Sequence, residues 1–223
     1  MELISKTKTD RLGNTVFIVK LIEDSGLVTE KTLIAEDYIK MLGESVTDRE
    51  SMIRIRALPA HYLDGAVSSN GARAILFYPA EKRTIVFGQK HWIVPFPNLI
   101  FDLTIKDGKR NDGRCFAIDT DKPNMNSNLF CYPFGNVSTS GSICFGNINN
   151  RDVNLSTIET IVDDFFCGVT NNDYYGDGGV LVVPKYKQEV LLEKLTHMDA
   201  FPSEWLKPCK RGCHTLGDLC KKL

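Results

Sequence analysis

Neither sign of charge is in excess in this sequence, whose 223 residues include 27 Lys and Arg against 28 Asp and Glu. The formal net charge of -1 provides no field that would draw the chain to nucleic acid or to an anionic membrane. No apolar run approaches the ~18 residues of a membrane-spanning helix, and the polar start lacks the apolar stretch of a signal peptide. We therefore expect a cytoplasmic protein that binds neither nucleic acid nor a membrane.

The short motifs of nucleotide and metal enzymes are also missing. Gly141 and Gly146 have the glycine spacing of a phosphate loop, but Asn147 and Ile148 stand where that loop needs Lys and then Ser or Thr. A dinucleotide fingerprint, a His-Glu-x-x-His helix and a Gly-x-Ser-x-Gly elbow are absent from the sequence. These absences predict a protein with no cofactor of its own.

The seven cysteines do not suggest a disulfide framework, because an odd number in a cytoplasmic chain argues against one. Four residues near the C-terminus have the side chains of zinc ligands: Cys209, Cys213, His214 and Cys220. Their C-x3-C-H-x5-C spacing suits a tetrahedral ion badly, since adjacent Cys and His side chains are awkward to aim at one metal. We expect no metal site there.

Hydrophobic patterning predicts an α+β fold in which an antiparallel meander of about four strands packs against helices. Strands are predicted within residues 15–22, 27–33, 74–78, 83–87, 99–105 and 114–118. The runs 74–78 and 83–87 are separated by Pro79–Lys82 and are predicted to form a hairpin. Helices are predicted at 35–42, 155–166 and 186–195, with Ser156 and Glu159 forming a capping box at the start of the second.

The most unusual stretch, residues 129–148, follows a polar loop at 119–128 and contains almost no charge. It has no clean helical or strand period. An irregular segment of this composition is typical of chain that packs against something or lines a site. Asn136 and Cys144 lie within it, eight positions apart.

This stretch resembles the active-site motif of ubiquitin-conjugating (E2) enzymes, His-Pro-Asn-Val followed by Gly-x-Ile-Cys-Leu. Asn136-Val137 and Gly141-Ser142-Ile143-Cys144 fall in register with that motif. Val94–Phe101 is similar to the proline-rich segment upstream in these enzymes, and the helix at 155–166 lies where they place a long helix. More narrowly, the chain resembles a bacterial E2-like group, PRTRC system protein B or prokaryotic E2 family D, in Cys144-Phe145-Gly146-Asn147, in Phe77-Tyr78-Pro79 with Arg83–Phe87, and in Thr215–Leu219.

The resemblance implies a single E2-like domain, with an N-terminal addition at 1–60, a core with the active-site loop at 61–172 and a helical addition at 173–223. It also implies that Cys144 accepts a ubiquitin-like protein from an E1-like, ThiF-related partner as a thioester and passes it to an amine. A JAB-type peptidase is a further partner that the family suggests. Asn136 is the expected donor to the oxyanion, and the active-site loop is expected to comprise Gly141, Ser142, Ile143, Phe145, Gly146 and Asn147.

The chain departs from the E2 pattern in a longer excursion at 102–128 and at two places in the motifs. Phe134-Gly135 replaces His-Pro, and Thr170-Asn171 stands where we expect a Thr-His pair after the helix. These departures leave open a non-catalytic binding module with the E2 shape. A second alternative is a thiol hydrolase that pairs Cys144 with one of the four histidines, which are His61, His91, His197 and His214.

Overall fold

The computed structural model describes residues 2–9, 15–22, 28–39, 58–68, 70–146, 148, 150–176, 181–182, 186–209 and 213–221. Residues 40–42 of the predicted first helix, and Asn147 of the predicted site, lie outside this described part. The chain divides into two compact units, Met1–Arg56 and Ala57–Leu223.

The first unit contains a three-stranded antiparallel sheet of β1 (Glu2–Thr9), β2 (Thr15–Ile22) and β3 (Val28–Ile34). β2 has the bounds predicted from its apolar run, and β3 pairs back on it as expected. Residues 35–39 are helical, which confirms the start of the predicted first helix. The Tyr38 ring stacks on Phe17 with centroids 4.3 Å apart.

The second unit contains a five-stranded antiparallel sheet in the order β10-β9-β8-β5-β4. Its strands are β4 (Tyr62–Ser68), β5 (Gly71–Tyr78), β8 (Asn98–Lys106), β9 (Lys109–Ile118) and β10 (Leu129–Cys131). β8 is buried along almost its whole length because it lies at the centre of the sheet with both faces covered.

A second sheet of this unit has the order β11-β6-β7, with β6 at Lys82–Phe87, β7 at Lys90–Pro95 and β11 at Val169–Thr170. The predicted hairpin between 74–78 and 83–87 is therefore wrong, because β5 pairs with β4 and β8 while β6 pairs with β7 and β11. β6 and β7 form their own hairpin, and Pro95-Phe96-Pro97 leads the chain back into the main sheet. β11 runs parallel to β6, so the arrangement is not a pure meander.

Three α-helices complete the second unit as the structure describes it: α1 (Glu159–Cys167), α2 (Gln188–Thr196) and α3 (Leu216–Cys220). A 3-10 turn at Leu155–Thr157 precedes α1, and Asn154 forms the capping box with Thr157. The prediction that Ser156 provides this cap is wrong by two residues; its hydroxyl donates to the Asn154 side chain instead. The fold is thus mixed α+β, as the sequence predicts.

Aromatic side chains form the core between the main sheet and α1. Phe101 of β8 packs edge-to-face on Phe165 and Phe166 of α1, each with centroids 5.7 Å apart. Phe134, which is fully buried, lies 4.8 Å from Phe96 by ring centroids. Phe134 is one of the residues that replace His-Pro, and here it anchors in the core the start of the segment that leads to Cys144.

Candidate active-site loop

The segment around Cys144 is an irregular loop that lies along β9. The Ile143 N–H donates to the Gly113 carbonyl at 2.9 Å, and the Cys115 N–H donates to the Gly141 carbonyl at 2.8 Å. These two bonds place one strand-like stretch of the loop beside β9, with a bridge between Ser142 and Arg114. The expectation that the uncharged segment packs rather than standing free is confirmed.

Ser138 organises the tight turn that precedes the cysteine. Its N–H donates to the Ser142 carbonyl at 2.9 Å, and its hydroxyl accepts from the Ser142 N–H at 3.1 Å. The same hydroxyl lies 2.8 Å from the Ser140 hydroxyl. The turn requires Gly141, which has a φ of +89° and whose added Cβ would lie 2.3 Å from the Phe116 ring.

Asn136 holds the cysteine segment on its other side. Its carbonyl accepts the Cys144 N–H at 2.7 Å, and its own N–H donates to the Asp173 carbonyl at 2.8 Å. Its carboxamide donates from Nδ2 to the Val169 carbonyl at 2.9 Å and accepts from the Asn171 N–H at 3.1 Å. Asn136 adopts a left-handed backbone with φ of +68°, which asparagine tolerates better than most side chains.

Gly135, which stands where the E2 motif has proline, has a steric cause in this fold. A Cβ added at Gly135 would lie 1.9 Å from the Asn171 carbonyl oxygen and 2.8 Å from Gln188 Oε1. The backbone of 171 therefore passes too close for any side chain. Neither proline nor another residue with a Cβ fits there unless the segment after α1 moves.

Gln188, at the start of α2, lies behind this contact and was not singled out by the sequence. Its side chain is 1% exposed, and its Nε2 donates to the Asn171 carbonyl at 3.3 Å. Asn171, which stands where a histidine was expected, closes a small turn by donating from Nδ2 to the Asp173 carboxylate at 2.8 Å. A chain of contacts thus runs from α2 through Asn171 to Asn136 and the Cys144 backbone.

Cys144 itself is partly exposed, whereas Cys115, Cys131, Cys209 and Cys213 are buried. All seven cysteines are free thiols. Cys167 at the end of α1 is exposed, and Cys220 is partly exposed. Burial raises the pKa of Cys115 well above its ordinary value, so the exposed thiols are the ones available to a nucleophilic reaction.

The described contacts of the histidines lie elsewhere than Cys144. No hydrogen bond or ring contact among the described residues joins a histidine side chain to Cys144. The His61 ring stacks on Tyr78, His197 faces Glu193, and His214 Nδ1 lies 2.8 Å from the Cys209 carbonyl. Within the described part of the chain no group of three or more His, Cys, Asp or Glu side chains is arranged to hold a metal.

The model of one protein family, described as prokaryotic E2 family D, matches residues 37–209. The chain belongs to this family. The match spans well over half of the chain and includes both the cysteine loop and the Asn171 segment. No curated protein and no solved structure matches the chain. Among the described residues, no helix is long and apolar enough to cross a membrane.

The loop brings together most of the residues that the sequence assigns to the site. Cys144, Asn136, Gly141, Ser142 and Ile143 share one hydrogen-bonded unit on β9. Phe145 and Gly146 follow directly, and Phe145 packs back on Gly113. Family membership supports an E2-like role in a ubiquitin-like system for the chain.

Proposed function

We propose that the protein is an E2-like carrier. It accepts a ubiquitin-like protein from an E1-like, ThiF-related enzyme as a thioester on Cys144 and transfers it to an amine. The observation that carries the proposal is a partly exposed thiol held at the end of an ordered loop, in a chain of prokaryotic E2 family D. ATP would be consumed by the E1-like enzyme, which agrees with a cytoplasmic setting. The E2-like domain would span the whole chain around a core at 61–172.

The proposed chemistry consists of two acyl transfers. In loading, the Cys144 thiolate attacks the carbonyl carbon of the E1-bound thioester, a C–S bond to Cys144 forms, and the E1 thiolate leaves. In transfer, an amine nitrogen attacks the same carbon, the C–S bond breaks, Cys144 leaves as a thiolate and the amine proton goes to a solvent base. Both steps pass through a tetrahedral oxyanion, which needs hydrogen-bond donors.

Asn136 contributes to this proposal in two ways. Its carbonyl fixes the Cys144 N–H and therefore the position of the thiol. The motif assigns its carboxamide to the oxyanion as a donor, but here that group is bound to the Val169 carbonyl, and we assign it to positioning the loop. The small neighbours Ser140, Gly141 and Ser142 leave room for an extended protein tail to approach the sulfur.

The test is a loading assay with the E1-like partner, ATP and the ubiquitin-like protein of the same system. These proteins would be encoded together in a PRTRC-type gene set, which would also encode a JAB-type peptidase. Wild type should give an adduct that thiol reductant cleaves. Cys144→Ser should give a reductant-resistant ester or nothing, and Cys167→Ser should load normally because that thiol lies on α1. An adduct that persists in Cys144→Ala would overturn the assignment.

A non-catalytic binding module is the second candidate. The observation in its favour is that the Asn136 carboxamide and the Cys144 N–H are both engaged within the protein. If the protein is a binding module, the wild type and the Cys144→Ala variant should bind the ubiquitin-like protein equally well. Neither of them should form a thioester.

A further inference from the structure

The backbone N–H groups on either side of Cys144 differ in their hydrogen bonding. The Cys144 N–H donates to the Asn136 carbonyl at 2.7 Å, so it is not free for a substrate. The next N–H along the chain, that of Phe145, has no acceptor among the residues that the structure describes. It belongs to the peptide unit directly attached to the Cys144 α-carbon. In α/β-hydrolases, which are unrelated, the N–H of the residue after the nucleophile serves as an oxyanion donor.

The Phe145 ring is held by two contacts. A Cβ added at Gly113 would lie 2.8 Å from the ring, so the ring packs directly on the β9 backbone. On the ring the Arg110 guanidinium carbon lies 3.9 Å from the centroid, a cation–π contact. The Phe145 carbonyl is also occupied, since it accepts the Ile148 N–H at 3.1 Å.

Arg110 in turn is fixed by the segment that follows the cysteine. Its Nη2 donates to the Ile148 carbonyl at 3.3 Å. Its backbone pairs with the Asn150 side chain, which accepts from the Arg110 N–H at 3.0 Å and donates to its carbonyl at 3.1 Å. The ring and the carbonyl of Phe145 are thus immobilised while its N–H stays unpaired among the described residues.

We infer that the Phe145 N–H is the oxyanion donor of Cys144 acyl transfer, and that Arg110 is a positioning residue that holds it. The inference rests on the proposed function, because it assumes an acyl group on Cys144. As the attacking nucleophile bonds to the acyl carbon, the C=O electron pair moves to oxygen, and the Phe145 N–H stabilises that charge until the C–S bond breaks. A donor fixed in advance stabilises the charge without reorganising.

The test replaces the 145 amide by an ester, using the α-hydroxy analogue of phenylalanine, which deletes the N–H and keeps the ring. The background is Cys167→Ser, and the acyl donor is a small acetyl-Gly-Gly alkyl thioester, so no partner protein is required. Alkylation of Cys144 by iodoacetamide is the reference, since that displacement forms no oxyanion. We expect the 145 ester to slow acylation about a hundredfold while alkylation changes little.

Two further variants separate this effect from a loosened loop. An ester at 148 deletes the N–H that closes the turn on Phe145, and should lower the melting temperature with little change in the ratio of acylation to alkylation. Arg110→Ala should lower that ratio about fivefold by releasing the ring, and Arg110→Lys should restore part of it because an ammonium keeps a cation–π contact.

An unchanged ratio in the 145 ester overturns the inference. The inference is also overturned if the ratio of acylation to alkylation in the wild type is no higher than that of a cysteine-containing peptide. That result would mean that the folded site supplies no oxyanion donor. Failure of the proposed function is a separate result. It would appear as absent loading with the E1-like partner while the small thioester still acylates Cys144 with a donor-dependent ratio.

Discussion

The carboxamide of Asn136 hydrogen-bonds the backbone of Val169, with Nδ2 donating to its carbonyl at 2.9 Å. The same carboxamide accepts from the N–H of Asn171 at 3.1 Å. In a parallel sheet, a residue of one strand makes the same two bonds to the residues that flank its partner on the next strand. Here the residue in the partner position is Thr170. One side chain therefore takes the place of a strand residue at the outer edge of β11 and joins that sheet to the cysteine loop.

This relationship leads to a prediction for Asn136→Ala. We expect a loss of about 1–3 kcal/mol in unfolding free energy, because Val169 and Asn171 lose their partner. Loading and discharge to free lysine should fall together, since the loop and β11 separate. Chemical denaturation and single-turnover assays measure the two effects.

Asn136→Asp is the matched variant, because it retains the acceptor for Asn171, removes the donor and tolerates the same backbone. A positioning role predicts values between wild type and Ala. An oxyanion role instead predicts near-normal loading with discharge slowed about a hundredfold in both variants. That outcome would contradict our prediction and favour the carboxamide over the Phe145 N–H as the donor.

Gly135 provides a second prediction, which concerns the departure from the His-Pro motif. Restoring the motif residue with Gly135→Pro should destabilise the protein by about 2–4 kcal/mol, as should Gly135→Ala, because the Asn171 carbonyl occupies the space of the Cβ. Gly108→Ala is the control, with a positive φ of 72° but nothing within 4 Å of the added Cβ. It should cost about 1 kcal/mol. Equal losses at both positions would refute the steric explanation.

Local patterns can be recognised in this sequence, whereas contacts between distant residues cannot. The apolar run of β2 and the motif around Cys144 were visible because each is local in sequence. The partner of β5 was not, since alternating runs such as 74–78 and 83–87 indicate strands without saying which strands pair. Arg110 and Gln188 act through contacts with Phe145 and Asn171 that only the folded chain creates, so a single sequence contains no signal for either.

A third prediction concerns the ion pair between β5 and β8. Arg73 Nε lies 2.6 Å from Asp102 Oδ1, its Nη2 donates to Asp102 Oδ2 at 2.9 Å, and Asp102 is 5% exposed. Arg73 also donates to the Leu219 carbonyl of α3 at 3.1 Å. Arg73→Ala should therefore cost about 3–5 kcal/mol, because a buried carboxylate loses its cation.

The control for this pair is an exposed one. Lys90→Ala breaks the ion pair with Glu189, in which both side chains are more than half exposed, and should lower the free energy of unfolding far less than Arg73→Ala does. Replacing both members of the buried pair, Arg73→Met with Asp102→Leu, should recover much of the loss. If Arg73→Ala were as mild as Lys90→Ala, the buried pair would not be a stabilising link between the main sheet and α3.

The last prediction concerns which thiols react in the native protein. At pH 8 iodoacetamide should modify Cys144 and Cys167 first, because they are partly or fully exposed, and Cys115 last, because it is buried with a raised pKa.

Cys220 is partly exposed, but burial and then Asp64 raise its pKa to about 12. At pH 8 its thiolate fraction is then on the order of 10⁻⁴. The rate of Cys220 alkylation should therefore keep rising up to about pH 12, whereas the rate of an ordinary thiol levels off once the pH exceeds its pKa of about 8.5. Peptide mapping by mass spectrometry with time gives the seven rates separately. Modification of Cys144 no faster than that of Cys115 would place the proposed nucleophile out of reach of any acyl donor.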